Sequence, residues 1–68
     1  MTMQAVINGK TQPVDEGTTV AALLARLDLA PIRVAVEINE DLVPRKSFAE
    51  TTIRPGDRIE IVTFVGGG

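Results

Sequence analysis

The chain of 68 residues contains no cysteine and no histidine. It therefore offers no thiol nucleophile, no imidazole base, no disulfide and no soft or borderline metal ligand, and most side-chain catalysis is excluded with them. Long apolar runs are missing as well. The longest unbroken one, Val20 to Ala25, falls far short of the ~18 residues that a membrane span needs. No basic residue precedes Lys10 and no apolar stretch of signal type follows it, so a secretory leader is not expected. Positive charge is not in excess either: seven Lys and Arg stand against nine Asp and Glu, a net charge of −2, and the basic residues are scattered. Nucleic acid calls for a clustered positive face and is not an expected partner.

What is present is a globular composition, 44% hydrophobic and 24% charged, in a length that holds one core and no deep cleft. Domains of this size often depend on disulfides or a metal. This one must depend on packing, which fits a cytoplasmic setting. Met3 to Ile7 reads as a strand, and Asn8-Gly9 is a two-residue hairpin signal because both turn positions favour positive φ. A second strand is expected from Lys10 to Val14. After Asp15-Glu16-Gly17, Thr18 or Thr19 is placed to cap a helix, in which Val20, Leu23, Leu24 and Leu27 form one apolar, core-facing stripe.

Pro31 bars that helix from running on, and Arg33 to Ile38 alternates as a strand with Val34, Val36 and Ile38 on one side. Asn39-Glu40-Asp41 reads as a polar turn and Leu42-Val43 as a short strand ended by Pro44. Arg45 to Thr52 is irregular, with Phe48 as its buried anchor. Pro55-Gly56 marks a type II turn before a last strand from Asp57 to Val65. The order predicts an α+β domain over residues 1–65, with a mixed sheet of four to five strands packed on one main helix and its other face uncovered. In the last strand Ile59 and Ile61 share one face while Glu60, Val62 and Phe64 share the other. If the isoleucines meet the helix, Val62 and Phe64 are exposed; the alternative is that Phe64 folds over a sheet edge and completes the core.

The chain ends in Gly66-Gly67-Gly68 directly after that strand. Glycine at successive terminal positions removes every Cβ, so residues 66–68 are expected to form a flexible tail able to enter a passage too narrow for other residues. A functionless end is the plain alternative. A phosphate-cradling loop is not, because that needs a helix N-terminus immediately behind the glycines. On a chain without Cys or His, the α-carboxylate of Gly68 is the group left to carry chemistry. When a partner supplies ATP it can attack the α-phosphate and form an acyl adenylate, whose carbonyl then accepts sulfur or nitrogen.

The stretch "VAVEINEDLVPR" at Val34 to Arg45, the turn "RPGDRIEIV" at Arg54 to Val62 and the terminal "FVGGG" resemble ThiS, the sulfur-carrier family of thiamin thiazole biosynthesis, over essentially the whole chain. The "VPR" and "GDRIEIV" elements favour that family over MoaD, the related molybdopterin-synthase carriers. The resemblance implies a ubiquitin-like β-grasp fold and a carrier that is acted upon rather than a catalyst. It implies that Gly68 is adenylated by an E1-like enzyme of the ThiF type, with ATP and magnesium that belong to that enzyme. The resemblance further implies that Gly68 becomes a thiocarboxylate and yields its sulfur to a ThiG-type thiazole synthase, with Gly67 as the thin approach to both active sites and Gly66 extending the tail.

Val62, Phe64 and Val65 are the candidate partner-docking surface, an exposed apolar patch beside the tail, and the chain alone is expected to be a monomer. Arg45-Lys46, Arg54 and Arg58 are read as solvated charges, with pairing to acidic partner surfaces as the alternative. Asp15-Glu16 and Glu40-Asp41 sit at turns without calcium-loop spacing and are read as solvated. A β-grasp binding module with an idle tail is the competing class, for which removing the glycines would leave binding intact.

Overall fold

The computed structural model describes residues 1–64; the expectations placed on Val65, Gly66, Gly67 and Gly68 lie outside the described residues. Strand β1 (Thr2–Ile7) buries Met3, Ala5 and Ile7 and turns outward the residues between them. The Asn8-Gly9 turn has φ of 50° and 83° at its two positions, as a tight hairpin with right-handed strand twist requires. It delivers β2 (Lys10–Asp15), paired antiparallel from Thr2↔Asp15 to Ile7↔Lys10. Pro13 is tolerated in β2 because that strand is the sheet's edge.

Helix α1 (Val20–Arg26) is two turns long, too short to persist on its propensity alone. Its start is fixed three times over. Thr19, not Thr18, is the cap, its hydroxyl accepting from Ala22 N at 3.1 Å, while Val20 N and Ala21 N donate to the carbonyls of Thr51 and Phe48 at 2.9 and 3.0 Å. The irregular segment after residue 44, containing a 3₁₀ turn at Arg45–Ser47, thus supplies acceptors that the helix cannot provide for itself. Phe48 is buried there, as its sequence context predicts.

The end of the helix corrects one expectation. Leu27 is 39% exposed and does not extend the buried stripe of Val20, Leu23 and Leu24. Asp28 adopts a left-handed φ of 60°, Asp28 N donates to Ala25 O and Leu29 N to Leu24 O. These are the paired bonds of a Schellman closure, which turns the chain before Leu27 can complete the apolar face. Leu29 takes the place beside the core instead. Pro31 lies beyond this stop, at the head of a second 3₁₀ turn, Pro31–Arg33.

Strand β3 (Val34–Ile38) therefore begins one residue later than its alternation predicts, with Val34 and Val36 buried and Ile38 only partly so. Asn39 and Glu40, both at positive φ, turn it into β4 (Asp41–Val43). The Arg54–Asp57 turn holds Gly56 at φ 80°, the type II position that its Pro-Gly pair predicts. Strand β5 (Arg58–Thr63) follows and is shorter than the Asp57–Val65 expected. The five strands lie in the order β2-β1-β5-β3-β4; β5 runs parallel to β1 and antiparallel to β3. One face of this mixed sheet and the buried side of α1 enclose a core that includes Leu24, Ile53, Ile59, Val14 and Val36. Among the described residues no polar or charged side chain is buried.

Candidate functional site

Strand β5 is the central strand and the one that leads to residues 65–68. Its position is set from both sides by an asparagine in a hairpin turn. Asn8 N donates to Ile59 O at 2.8 Å, and its side-chain Oδ1 accepts from Ile61 N at 2.7 Å, so the amide continues the β1 ladder after the backbone has turned away. On the other flank Asn39 N donates to Arg58 O at 2.8 Å and Asn39 Oδ1 accepts from Arg58 N at 3.0 Å. Asn39 Nδ2 reaches Asp57 Oδ1 at 3.0 Å, and Asp57 Oδ2 accepts from Arg54 N at 2.8 Å. The asparagines read in the sequence only as turn residues also clamp the strand behind the tail.

Beyond the Asn8 amide, β5 keeps its pairing with β3, ending in Phe64 N donating to Arg33 O at 2.8 Å. Ile59 and Ile61 point to the core. Val62 is 58% and Phe64 50% exposed, so both candidate residues within the described chain are accessible, and Phe64 does not complete the core. Ala35 lies directly opposite Val62, and Leu42 of β4, 66% exposed, lies opposite Glu37 on the same outer face. Leu42 and Ala35 were missed by sequence reasoning; the alternation of β4 carries the signal for Leu42, since Val43 must face inward beside Val36. Phe64 also borders a groove of about 190 Å³ with Ala35, Pro44, Arg45 and Phe48. Arg45, on its lining, donates from Nε to Pro31 O at 3.0 Å. The groove is smaller than a typical small-molecule pocket of roughly 300–1,000 Å³.

The other candidate features do not assemble into chemistry. Glu40 makes an ion pair with Arg58 at 3.9 Å between two well-exposed side chains, a contact of little energetic weight. Among the described residues no group of three or more acidic side chains is placed to hold a metal ion; Asp15, Glu16, Glu40 and Asp41 are all exposed. A concavity of about 520 Å³ between β4 and the segment around Thr52 is bordered by Asn39 and Asp57, whose side-chain oxygens are taken up in the turn bonds above. Among the described residues no helix is long and apolar enough to cross a membrane.

A family model described as the ThiS family matches residues 4–68. The sulfur carrier protein ThiS of Escherichia coli (strain K12) is 33% identical over 66 residues, covering 97% of this chain and 100% of that protein. A crystal structure of the thiamine biosynthesis protein ThiS from Geobacter metallireducens superposes with a TM-score of 0.82 at 39% identity, covering 97% of this chain and all of that one. A thiazole synthase of Paramagnetospirillum magneticum is 44% identical over 66 residues, which are 97% of this chain and 20% of that protein. The chain thus spans about a fifth of the length of the thiazole synthases it matches. The ubiquitin-like β-grasp fold and these likenesses agree, and the chain belongs to the ThiS family.

Proposed function

We propose that the chain carries sulfur as a thiocarboxylate on Gly68, with Gly68 as the terminus of the working protein. The Gly68 carboxylate attacks the α-phosphate of ATP on a ThiF-type enzyme, giving the acyl adenylate and pyrophosphate. Sulfide-level sulfur (HS−) then attacks the carbonyl carbon, the bond to AMP breaks with AMP as the leaving group, and loss of the S–H proton leaves the thiocarboxylate. ATP and magnesium are held by the activating enzyme. A ThiG-type thiazole synthase takes the sulfur for the thiazole ring and returns the carboxylate. The setting in this reading is cytoplasmic.

The observation that supports it is the juxtaposition at the end of β5: exposed Val62 and Phe64 stand on a braced central strand immediately before a run of glycines. A firm apolar grip and a thin approach are what a protein substrate needs if its end is to enter active sites that it does not contain. The matching segment within two proteins named thiazole synthase supports the choice of sulfur acceptor. Incubation with a ThiF-type enzyme, ATP and a sulfur source should exchange one oxygen of the intact protein for sulfur, seen by mass spectrometry. Deleting Gly68 should abolish the exchange. Absence of exchange on the full chain with an active enzyme would sink the proposal.

A further inference from the structure

We infer that the outer face of β5 and β3 receives a basic side chain of the thiazole synthase, its aliphatic stem over Ala35 and Val62 and its charged head between Glu37 and Glu60; the inference rests on the carrier reading above. The residues are fixed in register. Phe64 N bonds Arg33 O and Asn39 N bonds Arg58 O, so the pairs between them, Val62↔Ala35 and Glu60↔Glu37, are hydrogen-bonded pairs. In such a pair the Cα atoms lie about 5.5 Å apart with both side chains on one face. Glu37 and Glu60 are thus two exposed carboxylates held side by side, an arrangement that destabilises a sheet.

Nothing described in the chain relieves it. Among the described residues neither carboxylate forms an ion pair; Arg58, two residues from Glu60 on the same face, makes only its weak contact with Glu40 at 3.9 Å. The neighbouring rung is apolar and low, with half-buried Ala35 against exposed Val62, and Leu42 closes the other side of Glu37. An acidic rung beside an apolar one matches an amphipathic cation. Arginine fits it best, because its stem packs on apolar surface and its planar fork can bridge two carboxylates. Charge complementarity thus selects the occupant, and the apolar contact alone does not. The docked cation would also turn a repulsion in the free carrier into an attraction in the complex.

The test is titration of the full chain against purified thiazole synthase at several salt concentrations, comparing wild type with the Glu37→Gln/Glu60→Gln double variant and with Glu16→Gln, a remote control. The double variant should bind about tenfold to a hundredfold more weakly with a shallower salt dependence. Its thermal midpoint should equal or exceed that of wild type, whereas a merely structural role would lower it, and Glu16→Gln should bind normally. Unchanged affinity in the double variant, a lowered midpoint or no binding of the wild type to the synthase would overturn the inference. The mass readout keeps the two readings apart. A wild type that accepts sulfur while the double variant binds normally refutes this contact and leaves the carrier reading standing. Charge-dependent binding by a wild type that never accepts sulfur does the reverse.

Discussion

On one face of β5, Ile59 and Ile61 are sealed beneath α1; on the other, Glu60 and Val62 are open to water, although the two sets alternate along the same six residues. In a sheet with helices on both faces neither set would be free. Here one helix covers one face, so the inner residues hold the domain together and the outer ones contribute little to its folding. The core and the candidate docking face are thus separated by the pleat of a single strand, at a spacing of one residue. The outer face can then vary without endangering the core.

The largest expected effect breaks this contrast from the inside. Ile59→Ala empties a fully buried position at the centre of the core and should lower stability by about 2–5 kcal/mol, enough to unfold much of so small a domain. Val62→Ala, on the adjacent residue, should stay within about 0.5 kcal/mol of wild type. Urea unfolding followed by circular dichroism measures both. Equal losses would show that the outer face is as deeply engaged in folding as the inner one.

Periodicity made most of this contrast legible in the sequence. Ile59 and Ile61 against Glu60 and Val62 follow from alternation alone, and the glycine-containing turns at Asn8-Gly9 and Pro55-Gly56 follow from backbone sterics. Three features were not legible, the first two because they depend on long-range geometry and the third because a residue other than glycine or asparagine takes a left-handed φ. The Asn8 amide meets Ile61 N across 53 positions of sequence, the carbonyls of Phe48 and Thr51 cap a distant helix, and Asp28 takes a left-handed turn usually given to glycine or asparagine. That last feature displaced Leu27 from the core stripe: a helical wheel records which face a residue would occupy, not where the helix stops. The like-charged rung of Glu37 and Glu60 was hidden for the same reason, since it exists only once the register of β3 against β5 is fixed.

A smaller effect sharpens the comparison at the strand's two flanks. Asn8→Gly keeps a residue suited to positive φ and removes the side chain, leaving the partly buried Ile61 N–H without its acceptor. The expected loss is about 1–2 kcal/mol. Asn39→Gly removes more exposed bonds to Arg58 and Asp57, which water can replace, and should lose about half as much. Amide hydrogen exchange separates the two sites: Ile61 N–H should lose protection selectively in Asn8→Gly, and Arg58 N–H in Asn39→Gly.

The smallest effect has the opposite sign and lies in the second residue of each turn. Both hairpins place an asparagine first, at φ 50° and 52°, but the next residue is Gly9 at 83° in one and Glu40 at 73° in the other. A residue with a Cβ is strained at that φ and glycine is not, so the β3–β4 turn stores a conformational cost that the β1–β2 turn avoids. Against it stands the exposed Arg58–Glu40 contact at 3.9 Å, which adds little. Relief of strain should therefore outweigh loss of the ion pair, and Glu40→Gly should stabilise the chain by a few tenths to about 1 kcal/mol, seen as a raised urea midpoint with an unchanged slope. A fall in stability would mean that the pair outweighs the strain. Removing the Glu40 carboxylate also frees the Arg58 guanidinium to turn toward Glu60, two residues along the same face, so the same variant should weaken the binding of any partner cation that competes for that carboxylate.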